Sequence, residues 1–344
     1  MSVKPLRVLV LMHEDLVPPN TLRGHSKKEI VAWKTEFDVV STLKKMGHEV
    51  QPLGVHDDLG VIRKALAEWQ PHIAFNLLEE FHGNPLFDHH IASYMELMRQ
   101  PYTGCNPRGL LLAHDKAMCK QIFSFHRIRT PNFMVLRRGA RVHAPRKLRF
   151  PLFVKSLYEE GSLGIAHASI VGTEEKLKER VAFLHEQLGT AVIAEEYIEG
   201  REFYLSVIGN ERVQALPVLE MEFGTIPEDA PRIATSKIKW DLRYQKRHGI
   251  DVKPATGLDD QQLEKFQRLG KRIYRMLELS GYARIDLRVT EAGEVYVLEA
   301  NANPDVGYGE ELCVAAAAAG IDYPGLLHKI MTLGLRYEAE LRGF

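Results

Sequence analysis

The first hundred residues switch repeatedly between two hydrophobic periods. RVLVLM (7–12) is apolar at almost every position, whereas KTEFDVVSTLKKMG (34–47) spaces its apolar side chains three and four apart and stops at Gly47. HEVQPLGV (48–55) is extended again, DDLGVIRKALAEWQ (57–70) is helical, and HIAFNLL (72–78) is another apolar run. Such switching predicts βαβαβ, the pattern of a parallel sheet covered by helices. The turn after the first strand, MHEDLVPPN, holds no glycine cluster, so the dinucleotide-binding fingerprint is missing.

A glycine-bearing polar stretch, PYTGCNPRG (101–109), ends this unit, and an amphipathic helix follows in LLLAHDKAMCKQIFSFHRI (110–128). RFPLFVKSLYEEGSLGIAHASIV (149–171) reads as two strands around a tip containing Gly161 and Gly164. After a helix in 173–189, TAVIAEEYIEGREFYLSVIGNERVQALPVLEM (190–221) reads as several antiparallel strands turning at Gly200 and Asn210. A helix over 259–280, a hairpin over 282–305 and two terminal helices complete the chain; its alanine run is helix propensity. The division this predicts is 1–105, 106–204 and 205–344, a parallel α/β unit followed by two α+β units, with no internal repeat.

The hairpin YARIDLRVTEAGEVYVLEANANPD carries the most specific chemistry. Pairing Thr290 with Val295 sets Asp286 opposite Glu299 and Arg284 opposite Asn301, and Glu299 and Asn301, two apart, share one face. Two opposed carboxylates repel unless a positive charge lies between them. A divalent cation supplies one: Asp286, Glu299 and Asn301 are hard oxygen donors suited to Mg2+ (or Mn2+), which completes its shell with phosphate and water. Arg284 supplies the alternative, a salt bridge.

Composition narrows the partners. Forty-five basic residues balance forty-five acidic ones among 344, so no net field recommends nucleic acid or an anionic membrane, and small-molecule chemistry is the expectation. Cys105, Cys119 and Cys313 are odd in number and lack C-x-x-C spacing, which points to reduced, buried thiols. The N-terminal apolar run meets His13, Glu14 and Asp15 too soon for a signal peptide or a span, so a cytoplasmic location is expected.

Phosphate-handling lysines stand on separate elements: Lys116 on a helix, Lys155 at the end of the apolar run PLFV just before the glycine loop, and Lys237 or Lys239 in ATSKIKWD. No P-loop is present. In VIAEEYIEGREF, a carboxylate such as Glu202 can accept ribose hydroxyls, and backbone groups at Tyr197 and Ile198 can read an adenine edge.

In this order, FPLFVK, EGSLG, EEYIEGREF, ARIDL and LEANANP resemble the ATP-grasp superfamily, and in particular its D-alanine:D-alanine ligase branch, over about residues 70 to 335. The resemblance implies three α/β domains with ATP between the later two, and carbon–nitrogen ligation through an acyl phosphate. It implies Lys116 and Lys155 on the ATP phosphates and Ser162 in a mobile covering loop. Glu195, Tyr197 and Ile198 would surround adenine, Glu202 would hold ribose, and Lys239, rather than Lys237, would be a further phosphate-side lysine. Asp286, Glu299 and Asn301 match its magnesium ligands, and Arg284 matches the arginine that steadies a developing oxyanion. A homodimer is a further implication.

Two stretches depart from the branch. LMHEDLVPPN replaces its glycine-rich stretch and substrate-holding glutamate, with Glu14 as the stand-in. DVGYGEEL places Glu310 and Glu311 where the branch captures the second substrate's carboxylate, which favours a positively charged acceptor: a different amino acid, a peptide or a polyamine-like amine. His82 and the pair His89 and His90 are candidates for the substrate cleft. Besides a ligase of amino acid or peptide substrates, D-alanine:D-alanine ligation itself, an ATP-grasp kinase and a non-catalytic ATP-binding module remain as alternatives.

Overall fold

A computed structural model describes residues 4–159, 164–226 and 232–339; Gly161 and Ser162 therefore lie outside the described residues. The N-terminal strands are β1 (Arg7–His13), β2 (Glu49–Val55) and β3 (Ile73–Asn76), all parallel in the order β2-β1-β3, as the alternating periods require. A short parallel bridge from Ala74 to Tyr102 extends the β3 edge. The expected helix over 110–128 is two helices, Pro107–His114 and Lys116–Phe125. Asp115 separates them because its carboxylate caps the second, accepting from the amides of Ala117 (3.0 Å) and Met118 (2.9 Å). Lys116 thus stands at the start of a helix, with its flank fixed.

The second sheet comprises β4 (Phe133–Leu136), β5 (Leu152–Ser156), β6 (Ile170–Val171) and β7 (Val192–Glu196), in the order β4-β7-β5-β6. The third comprises β8 (Arg201–Ile208), β9 (Gln214–Ala215), β10 (Leu219–Glu222), β11 (Asp251–Pro254), β12 (Tyr282–Val289) and β13 (Val295–Ala302). Its strands run β11-β10-β8-β12-β13, all antiparallel, with β9 beside β8. The change of sheet falls between Glu196 and Arg201, whereas a division at 204/205 cuts β8 in the middle.

Among the described residues, three larger cores and a small cluster of Ala117, Leu157 and Ile193 hold these layers. The second sheet has its own, built from Leu136, Leu152, Val154, Leu177, Leu184 and Val192 among others, all from one stretch of chain. The first and third sheets instead share cores. Val8, Val10, Ile73 and Phe75 pack with Leu326, Leu327, Ile330 and Met331 of the helix Tyr323–Arg336, while Leu9, Leu11 and Ala74 share a cluster with Phe203, Leu205 and Ile285. Gly334 permits the first of these contacts, since a Cβ there would stand 2.3 Å from the Tyr102 carbonyl oxygen. The three cysteines are buried and free, as expected.

Candidate active site

The chemistry sits on one face of the third sheet. Along β12, Ala283, Ile285 and Leu287 turn to the core while Arg284, Asp286 and Arg288 turn the other way, as a period of two dictates. Cross-strand register then forms rows: Glu202 beside Arg288, Tyr204 beside Asp286 beside Glu299, and Ser206 beside Arg284 beside Asn301. The predicted opposition of Asp286 to Glu299 and of Arg284 to Asn301 is the observed one.

The turn end differs from expectation. Val289, not Thr290, pairs with Val295, and the register shifts by one between Asp286 and Leu287, so that Leu298 is an extra residue in β13. Strict alternation would put Val297 and Glu299 on the same face; the bulge sends Val297 into the core and Glu299 to the polar face. The bulge is held by long-range partners. Lys120 Nζ donates to the Leu298 carbonyl (2.8 Å), the Val297 amide donates to the Arg129 carbonyl (2.9 Å), and Thr130 Oγ1 donates to the Val297 carbonyl (2.8 Å).

Facing this sheet across a cleft of about 580 Å3, its open mouth included, are β5 and β7 of the second sheet. Lys155 at the end of β5 reaches Glu299 (2.9 Å) and Glu195 (3.3 Å), and Lys120, only 1% exposed, reaches Glu195 (2.8 Å). Burial alone would lower the Lys155 ammonium, but Glu195 and Glu299 outweigh it and hold Lys155 above the ordinary lysine range. Burial likewise opposes the Glu299 charge, and Lys155 and Lys116 hold that carboxylate well below its usual range. For Lys120 burial prevails over Glu195, and its affinity for a proton is lowered.

Arg284 grips both oxygens of Asp286 (Nε 2.7 Å, Nη2 3.1 Å) and reaches Glu311 through Nη1 (3.1 Å). Asn301 Nδ2 donates to Asp286 Oδ2 (3.1 Å). The salt bridge weighed as the alternative to a metal is therefore present, on the same residues that would hold the metal. Three hard-oxygen side chains on one buried sheet face fit a divalent cation such as magnesium. Among the described residues no cluster of three His, Cys, Asp or Glu side chains offers a softer or all-protein site.

Of the remaining predicted residues, Glu195, Tyr197, Ile198, Glu202 and Lys239 all line the cleft. Glu195 is tied to the two lysines rather than standing free. Lys237 instead lies over the Tyr244 ring, 4.3 Å from its centre, which leaves Lys239 as the cleft lysine. Lys116 donates to the Glu159 carbonyl (2.9 Å) at the base of the stretch that contains Ser162.

The substrate candidates are dispersed. Glu14 is exposed beyond β1, and His82 is exposed with Asp57 3.8 Å away, both outside the cleft lining. His89 lies against His90 with ring centres 3.9 Å apart and the planes tilted by 40°. Glu311 joins the site through Arg284. Glu310 is half-buried and pushed up to about 7 by burial and by the charges of Asp305 and Glu311. Two contributors escaped the sequence reading, Lys120 and Arg288. The spacing of two from Asp286 was the available signal for Arg288, and the spacing of four from Lys116 the signal for Lys120.

Residues 122–332 match the family described as "D-ala D-ala ligase C-terminus". The D-alanine–D-alanine ligase of Desulfotalea psychrophila is 31% identical over 273 residues, 78% of this chain and 80% of that protein. The chain belongs to the D-alanine–D-alanine ligase family. The Aquifex aeolicus D-alanine–D-alanine ligase is 29% identical and spans 95% of this chain and all of its own length. An uncharacterized Sinorhizobium fredii protein, y4sG, is 29% identical over 87% of this chain and 86% of its own. In structure, the Bacillus anthracis D-alanine–D-alanine ligase complexed with ATP superposes with a TM-score of 0.74 at 24% identity, covering 96% of this chain and 98% of that one. The family fold is thus an ATP-grasp fold with α/β layers as expected. Among the described residues no helix is long and apolar enough to cross a membrane.

Proposed function

We propose that this protein is an ATP-dependent carboxylate–amine ligase that forms an amide or peptide bond through an acyl phosphate, with an acceptor other than D-alanine. The observation that carries the reading is the group Asp286, Glu299 and Asn301 on one face of the third sheet, with Lys155 of the second sheet reaching Glu299 at the cleft they line together. Lys116, Lys155 and Lys239 would hold the phosphates, Tyr197 and Ile198 the adenine, and Glu202 the ribose. Magnesium, when bound at Asp286, Glu299 and Asn301, would neutralise phosphate oxygens and align the γ-phosphoryl for transfer.

The substrate carboxylate takes up that phosphoryl group, and an amine then attacks the activated carbonyl as phosphate leaves. Arg284 suits the oxyanion of that step. Its contacts with Asp286 and Glu311 use three of its five N–H groups, and among the described residues the other two have no acceptor and are available for an incoming oxygen. Ser162, in the loop the resemblance places over the phosphates, would exclude water from the acyl phosphate.

Glu310 and Glu311 support an unusual acceptor. Arg284 already offsets Glu311, and Glu310 is pushed up to about 7, so the pair acts through the charge that Glu310 retains, which disfavours a free carboxylate and favours an ammonium. Glu14 and His82, exposed and outside the cleft lining, are kept as candidates for substrate recognition, and the reaction is proposed to act on small molecules in the cytoplasm. The named activity of the relatives favours a second reading, D-alanine ligation itself.

An ADP-release screen over amino acids, dipeptides and amines, with products weighed by mass spectrometry, separates the two: ADP released with D-alanine alone and yielding the simple dipeptide overturns the acceptor proposal. Hydroxylamine trapping of an acyl group marks the ligase and excludes a kinase. Asp286→Asn should reduce turnover by about 100-fold or more, and full ATP-dependent turnover in that variant would sink the metal assignment.

A further inference from the structure

Arg288 is 3% exposed, lines the cleft, and joins three separate pieces of the nucleotide side. Its Nε and Nη2 both donate to Glu202 Oε2 (3.2 and 2.6 Å). Its Nη1 donates to the Ile198 carbonyl (3.1 Å) and to Tyr197 Oη (3.4 Å), and a further bond from Nη2 reaches the Arg232 carbonyl. Every N–H of the guanidinium is committed. The segments it fixes are the crossing between sheets two and three, the start of β8, and the strand of chain leading through Ile233 and Ala234 to Lys239.

The consequence falls on Glu202. A carboxylate has about four acceptor positions. Both on Oε2 are occupied by Arg288, and one on Oε1 accepts from Tyr204 Oη (2.9 Å), whose other neighbour, Met221 Sδ at 3.5 Å, is a poor alternative. Among the described residues, one position remains without a donor. We propose that Arg288 is a positioning residue that restricts Glu202 to a single ribose hydroxyl, so that this protein recognises one of the two hydroxyls and ignores the other. This rests on the proposed placement of ATP in the cleft.

Because the register sets Arg288 directly beside Glu202 on adjacent strands, the restriction is built into the sheet rather than into a loop. Burial works against the guanidinium charge, but Glu202 outweighs it and holds Arg288 in its charged form. Lysine at this position would keep the charge and lose the fork, leaving the Ile198 and Arg232 carbonyls without their donor.

The test needs no acceptor. Equilibrium binding of ATP, 2′-deoxy-ATP and 3′-deoxy-ATP with magnesium is measured on the full chain and on Arg288→Met, Arg288→Lys and the double variant Arg288→Met/Glu202→Gln. In the unaltered protein one deoxy analogue should bind within about threefold of ATP and the other about tenfold or more weakly, the cost of one lost hydrogen bond to a charged group. Arg288→Met should weaken ATP about tenfold and make both analogues inferior to it, because Oε2 is freed; Arg288→Lys should resemble it.

The double variant leaves no buried unpaired charge, and it should fold and show discrimination reduced to about threefold or less. Inorganic tripolyphosphate should bind all four proteins alike, which a general loss of structure would not allow. Equal discrimination against both analogues in the unaltered protein, or unchanged ratios in Arg288→Met, overturns the proposal. ATP binding without ADP release from any acceptor overturns the ligase reading and leaves this one standing, while absence of ATP binding overturns both.

Discussion

Glu36 and Glu310 carry their charges at a cost. Glu36 is 6% exposed in the first turn of the helix Lys34–Lys45, and burial pushes its carboxyl up to about 7, with its own backbone N–H opposing and the Asp305 charge adding to the rise. The neighbourhood is bound together by Thr35 Oγ1 donating to Asp305 (2.7 Å) and by Lys34 reaching Asp38 (2.9 Å). A carboxyl raised in the folded state contributes stability that is complete below its unfolded value of 4.5 and is lost as pH rises through about 7. Glu36→Gln should therefore stabilise the protein at pH 8 by about 1–3 kcal/mol, a gain that shrinks toward zero as the pH is lowered to about 4.5. Urea denaturation at the two pH values checks it; a gain independent of pH would mean that the carboxyl is not held protonated by its surroundings.

At the level of elements, the hairpin β12–β13 depends on one additional residue. Deleting Leu298 forces either Val297 out of the core or Glu299 into it, and should cost about 3 kcal/mol or more and remove nucleotide binding. Leu298→Ala keeps the bulge and should cost about 1–2 kcal/mol with binding within severalfold. Denaturant midpoints and nucleotide titration distinguish the two, and a deletion that still binds would show that the register is not the source of the site. The sequence made the opposition of Asp286 and Glu299 legible, because polar side chains at alternate positions announce a face. It concealed the bulge, since Val295, Val297, Glu299 and Asn301 look like one uninterrupted alternation. What decides the matter is Lys120, whose ammonium meets the Leu298 carbonyl from 178 residues away, a contact that no local pattern encodes. The helix break at Asp115 was a nearer miss, because a capping aspartate stood in plain view before Lys116. The three strands and the two helices between them in the first hundred residues were legible, since periods of two and 3.6 are local properties of the chain, whereas the helices Lys27–Ala32 and Asp88–Leu97 were not read.

Over the whole molecule, the cleft lies between one unit with a private core and a larger body in which the first and third sheets share theirs. If ATP with magnesium binds in the cleft as proposed, it would bridge the two bodies and stabilise the molecule by mass action. Residues 1–105, expected as a domain, lack in isolation the helix Tyr323–Arg336 that covers Val8, Val10 and Phe75. Expressed alone, that fragment should bind a hydrophobic dye and unfold without a cooperative transition; a sharp calorimetric peak would show that it folds independently. Gly334→Ala, in the full chain, should weaken the same contact by about 2 kcal/mol or more because the Tyr102 carbonyl occupies the space of the new methyl. That packing also imposes an order on biosynthesis. The first strands leave the ribosome hundreds of residues before the helix that shields them, so the nascent chain carries an uncovered apolar sheet face until that helix is made. Chaperone binding concentrated on β1 and β3, and released when the helix Tyr323–Arg336 emerges, is the outcome that this packing leads one to expect.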